Sequence, residues 1–272
     1  MSASKNKAEL AKKLGVSRSS LYYRPKRPKD DEALRDRILA VQTEHPAYGH
    51  KRIAMALKLN KKRIRRVMKK FNLRPRILRG RPTKRDDRGN LPTKVPNLAK
   101  TICPIRANVL YAGDFTYIPW DNGFVYVATV LDVFTREIVG WHIGLHHTTS
   151  LITEAFLDAV RRTGVAPQIF HSDQGSEYVS GSYELLLAAH GTKASQSKKS
   201  SPWENCYQES FYSGFKLEFG NPTRFHDLGE LAEAVHRQIH YYNTRRIHTA
   251  LKMPPVTYRV HQENKIAVLM TA

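Results

Sequence analysis

Only two cysteines, Cys103 and Cys206, occur in 272 residues, which argues against a disulfide framework and against a cysteine-rich zinc site. Twelve histidines are present, but none lies near a cysteine pair at zinc-finger spacing. No stretch reaches the roughly 18 apolar residues needed to span a bilayer, and the N-terminus lacks the apolar segment of a signal peptide. A soluble, cytoplasmic protein is therefore expected. Acidic residues are scarce in one half only. Residues 1–105 hold 30 Lys and Arg against 8 Asp and Glu, whereas residues 106–272 hold 15 against 16. A cationic segment of this density gains free energy by releasing counterions from a polyanion, so double-stranded DNA is the expected partner of the first half. A solvated basic tail is the plain alternative, but the segment also has helical periodicity.

Leu10, Ala11, Leu14, Val16 and Leu21 fall at helical spacing around a break at Gly15, with Ser17 placed to cap a second helix. This pattern predicts a helix-turn-helix over residues 1–29, with Arg18, Ser19 and Tyr22 facing a DNA groove. A second helical region is expected over 30–73. Leu34, Ile38 and Val41 mark one helix, Ile53, Ala54 and Leu57 another, and Ile64, Val67, Met68 and Phe71 a third capped by Asn60. Lys61–Lys70 carries seven cations in ten residues and no acid. Lys62, Arg63, Arg65, Arg66 and Lys69 are accordingly candidate phosphate contacts. Residues 74–106 are rich in Pro and Arg, have no apolar period, and read as a basic linker.

From Val109 the composition turns β-branched and aromatic. Strands are expected over 109–119, 124–134 and 137–145, then a helix capped by Ser150 and ending near Thr163. A strand over 167–171, a helix over 183–190, a strand over 192–197 and a long helix over 204–219 follow. This order predicts a mixed five-stranded sheet with helices on both faces. It places Asp114 in the first strand, Asp173 just past the fourth and Glu209 on the last helix, 35 residues beyond Asp173. Carboxylates in apolar surroundings cost free energy unless paired or metal-bound, so the trio suggests hard oxygen ligands for two Mg²⁺ or Mn²⁺ ions. Glu204 competes with Glu209 for the third position. Glu177 reads as a local structural or DNA contact, His171 as a support of the strand end, and Lys198, Lys199 and Ser200 as a DNA-contacting loop.

Asp-Phe-Thr-Tyr-Ile at 114–118, His-Ser-Asp-Gln-Gly-Ser-Glu-Tyr at 171–178 and Glu-Ser-Phe-Tyr-Ser-Gly-Phe-Lys at 209–216 resemble the integrase core of bacterial insertion sequence transposases. The OrfB type of insertion sequence family three matches best. His-Pro-Ala-Tyr-Gly-His-Lys-Arg-Ile at 45–53 is similar to that family's upstream helical region, and Tyr241–Leu251 with Pro254-Pro255 to its C-terminal signature. The resemblance implies a ribonuclease-H-like catalytic core over 107–272 with a C-terminal helical extension, preceded by the small all-α DNA-binding region. It implies Asp114, Asp173 and Glu209 as catalytic metal ligands. Lys216, two helical turns beyond Glu209, is a candidate for holding a phosphate. It further implies cleavage and strand transfer at terminal inverted repeats, a homo-oligomer on paired ends, an upstream OrfA-type partner and a bacterial cytoplasmic setting. A nuclease of the same fold without joining activity, or a non-enzymatic repeat-binding repressor, are the rival readings.

Overall fold

The computed structural model describes residues 7–21, 27–77, 95–121, 123–198 and 201–271. The chain divides into two compact units, Met1–Glu44 with Tyr48–Arg74, and His45–Ala47 with Pro75–Ala272. Among the described residues, no helix is long and apolar enough to cross a membrane.

In the first unit, α1 (Lys7–Lys13) is followed by a single 3-10 turn, Arg18–Leu21, where a second α-helix is expected from the sequence. Ala11 is buried but Leu10, Leu14 and Val16 are exposed. The Ser17 and Ser19 hydroxyls share a hydrogen bond. Tyr22 lies outside the described residues. The helices α2 (Arg27–Glu44), α3 (His50–Ala56) and α4 (Lys61–Lys70) follow. Leu34, Ile38, Tyr48, Ile53, Ile64 and Val67 close their core. The Asn60 side chain accepts from the Lys62 amide and caps α4, as the sequence suggests.

The second unit is built on β1 (Leu110–Trp120), β2 (Gly123–Asp132), β3 (Ile138–Gly144), β4 (Ile169–Ser172) and β5 (Lys193–Gln196). They stand in the order β3-β2-β1-β4-β5. The β1–β2 and β2–β3 pairs are antiparallel, and β1–β4 and β4–β5 are parallel. The parallel pairs need crossovers, supplied by α5 (Thr149–Thr163) and α6 (Gly181–Ala189). Thr148, not Ser150, is the N-cap of α5. That helix packs so closely on β3 that a Cβ at Gly140 would stand 2.4 Å from the Ala155 carbonyl oxygen.

Strand alternation divides the apolar residues between two cores. Tyr111, Ala128, Val130 and Phe170 face α5 and α6. Leu110, Ala112, Val125, Val127 and Leu131 face α7 (Cys206–Phe219) and α8 (Leu228–Thr244). A last helix, α9 (Pro255–Thr271), completes the chain. The C-terminal signature is used structurally. Asn243 donates to the Ile138 carbonyl and accepts from its amide, and the buried Arg246 pairs with Glu218 of α7 at 2.8 Å.

Candidate active site

Three polar side chains of α7 and the turn before it fix that helix on the sheet. Gln208, fully buried, donates to the carbonyls of Ala112 (2.6 Å) and Thr129 (3.0 Å) and accepts from the Thr129 hydroxyl. Asn205 donates to the Gly113 carbonyl, and the Tyr212 hydroxyl to that of Asp114 at 2.7 Å. These bonds satisfy buried groups that would otherwise each cost about 1–3 kcal/mol. Their consequence is positional: the first turn of α7, which carries Glu209, is held against the stretch of β1 that carries Asp114.

Asp114 lies opposite Thr129 of β2 and accepts from the Phe115 amide at 2.8 Å. Asp173 lies one residue past β4 and accepts from the Gly175 amide at 3.0 Å. Glu209 is exposed in the first turn of α7. All three line one cavity of about 510 Å³, together with Lys198 and Lys216. Burial, then the negative charge of Asp173, push the Asp114 carboxyl up to about 7, with a further small push from Glu209; the Phe115 amide and Lys216 pull against them. The Asp173 carboxyl is also raised, first by desolvation and then by Glu177, against the Gly175 amide. Among the described residues, no three His, Cys, Asp or Glu side chains stand close enough to hold a metal ion as they are. The donor set is nevertheless one of hard oxygens whose mutual repulsion a divalent cation would relieve, so the residues fit such an ion.

Glu204 is placed differently. Its side chain is 3% exposed and takes Lys100 at 2.6 Å, Asn97 at 2.6 Å and the Lys198 amide at 2.9 Å. Burial raises its pKa, but those three partners outweigh it and hold the carboxyl below the ordinary range. It lines a separate cavity with His171. His171 is buried and shares a hydrogen bond with Ser195 at 2.9 Å, and burial lowers its pKa. Glu177 is buried and pairs with His147 at 2.7 Å.

Lys216 stands in the cavity wall with its ammonium 4.7 Å from the Tyr117 ring centre. Its pKa is lowered by desolvation, against the attraction of Asp114. In the first unit, Arg18, Ser19, Lys62, Arg63, Arg65 and Lys69 are exposed. Arg66 is engaged with both oxygens of the buried Asp31, which Lys70 also reaches at 3.0 Å. Lys199 and Ser200 lie outside the described residues. Gln208, Asn205 and Tyr212 escaped the sequence reading. The only trace was that Gln208 continues the spacing of Tyr212, Phe215 and Phe219 along one stripe of α7.

Two family models described as integrase core domain match the chain, over residues 104–202 and 190–255. Among curated proteins, the transposase for insertion sequence element IS904 of Lactococcus lactis is 35% identical, covering 85% of this chain and 95% of that protein. The putative transposase InsK for insertion sequence element IS150 of Escherichia coli is 28% identical over 92% of each. Among solved structures, the HTLV-2 integrase catalytic core domain in complex with magnesium has a TM-score of 0.44 at 15% identity, covering 57% of this chain and 98% of that one. The two family models together define an integrase-core protein. The chain belongs to the OrfB-like transposases of the IS3 family, within the DDE polynucleotidyl transferases.

Proposed function

We propose that the protein transposes an insertion sequence: it binds the element's terminal inverted repeats, nicks one strand, and joins the freed 3′-hydroxyl to a second phosphodiester. The observation that carries this reading is the single cavity shared by Asp114, Asp173 and Glu209, with Lys198 and Lys216 in its wall. Asp114, Asp173 and Glu209 are the residues that would hold Mg²⁺ or Mn²⁺, two ions in all. The bound metal supplies activation of the attacking oxygen and neutralisation of the leaving one. Glu209 would complete the set from the first turn of α7, whose backbone the hydrogen bonds of Gln208 and Tyr212 hold in place.

The chain's own contribution is placement and charge. The oxygen of water, then that of the 3′-hydroxyl, attacks phosphorus in line. The attacking oxygen gives up its proton to solvent, the bond to the departing 3′-oxygen breaks, and that oxygen takes up a proton from solvent to leave as a hydroxyl. Lys216 and Lys198 hold non-bridging phosphate oxygens at the cavity wall, offsetting charge that the carboxylates would repel. The N-terminal unit and the basic linker supply contacts to the phosphate backbone, with Arg18, Ser19 and Tyr22 reading the repeat. A homo-oligomer on paired ends, an OrfA-type partner and a bacterial cytoplasmic location accompany this reading.

Labelled repeat ends incubated with Mg²⁺ test it. Wild type gives nicked and joined DNA. Asp114→Asn, Asp173→Asn and Glu209→Gln lose both products, by at least about a hundredfold, as expected for groups acting on the transition state, yet retain DNA binding. Hydrolysis without joining would mean a nuclease, and repeat binding without cleavage under any divalent ion a repressor.

A further inference from the structure

Tyr117 and Phe124 sit in β-strands, yet they are 53% and 49% exposed. Strand alternation sends their neighbours Ile118 and Val125 into the core and turns these two rings to the opposite side. The rings meet edge to face, with centres 5.2 Å apart. The Lys216 ammonium stands over the Tyr117 ring, and Lys216 also lines the cavity of Asp114, Asp173 and Glu209. Phe115, one residue on from Asp114, lines the same cavity and stacks on His147 with centres 6.1 Å apart and planes 7° from parallel. Lys216 therefore links an exposed aromatic strip, Tyr117 with Phe124, to the cavity.

A protein interface depletes lysine at its centre, whereas an aromatic ring beside a lysine suits a nucleotide, which offers a flat π face and a phosphate together. We propose that Tyr117, edged by Phe124, is the stacking platform for one unpaired base next to the phosphate held in the cavity. Lys216 then moves from the ring face to that nucleotide's phosphate. This rests on the polynucleotidyl-transfer reading of the cavity and adds to it the state of the DNA: the strand enters with a base out of its pair. Stacking accepts any base, so the platform sets strand position and not sequence preference.

The full chain as wild type, Tyr117→Phe and Tyr117→Ala is titrated with two synthetic DNAs. One is a duplex with a short 3′ single-stranded extension whose first unpaired base is 2-aminopurine; the other is the blunt duplex. Wild type and Tyr117→Phe are expected to quench the 2-aminopurine. Tyr117→Ala is expected to lose the quench and bind the extended DNA about tenfold more weakly, the effect of one aromatic stack, with blunt-duplex affinity and melting temperature unchanged. Retained quenching and affinity in Tyr117→Ala would overturn the platform, as would equal weakening on both DNAs. A change in sedimentation with quenching intact would also overturn it, giving the strip to contacts between copies. Strand joining by wild type is followed on the extended DNA. Joining without quenching removes the platform alone; quenching without joining removes the transfer reading and leaves the platform.

Discussion

Asp31 shows how one carboxylate can organise a cationic element. The α4 helix carries seven basic side chains in ten residues, and Arg66 and Lys70 converge on Asp31, which is 2% exposed. The Arg66 hydrogen bonds, foremost, and then Lys70 hold its carboxyl well below the ordinary carboxylate range, against desolvation. A depressed pKa contributes stability that is fully present above the unfolded value and is lost as pH falls through and below about 4. Denaturant titrations of the N-terminal unit's signal should therefore be flat from neutral pH down to that point and then decline, while Asp31→Asn should be less stable at neutral pH and lack the decline. An identical acid profile in the variant would show that Asp31 is not the linked group. The same scale separates Glu204 from Glu209. The first is a buried partner of Lys100 and Asn97, and the second is an exposed wall residue of the cavity.

At the scale of the element, α7 carries adjacent residues with opposite duties. Gln208 faces the sheet and Glu209 faces the cavity, because neighbouring positions on a helix are about 100° apart. Gln208→Leu leaves the Ala112 and Thr129 carbonyls without their partner and is expected to cost about 2–4 kcal/mol, with activity lost in proportion to the misplacement of Glu209. Glu209→Gln, on an exposed position, should change stability by under about 0.5 kcal/mol and still abolish turnover. Chemical denaturation beside a cleavage assay checks the pair. Comparable stability in the two variants would contradict the division.

At the scale of the whole molecule, charge and chemistry are segregated. Nearly all net charge lies in residues 1–105, while residues 106–272 are close to neutral and contain the candidate catalytic cavity. Binding to repeat DNA should weaken steeply as salt rises. Each phosphate contact removed by neutralising Lys62, Arg63, Arg65 or Lys69 should reduce the slope of log K against log salt by about 0.9. Arg66→Ala is expected to act mainly on stability, because its guanidinium is engaged by Asp31. A salt slope unchanged by the four neutralisations would place the DNA contacts elsewhere, the linker included.

Much of this was legible in the sequence, because it depends on local pattern. β-Branched and aromatic runs marked β1, β2 and β3, the Asn60 cap marked α4, and Asp114, Asp173 and Glu209 stood out as acids in apolar surroundings. Leu10, Leu14 and Val16 have helical spacing, yet among the described residues they are exposed. Spacing sets which face a residue takes but not whether something packs there. The family spacing already favoured Glu209 over Glu204; tertiary structure alone decided that Gln208 and Tyr212 bolt α7 to β1 and β2, and that Arg246 pairs with Glu218. Each of those contacts joins groups 28 to 98 positions apart. Over such separations the chain's own periodicity carries no information, and only the folded sheet brings the partners within bonding distance.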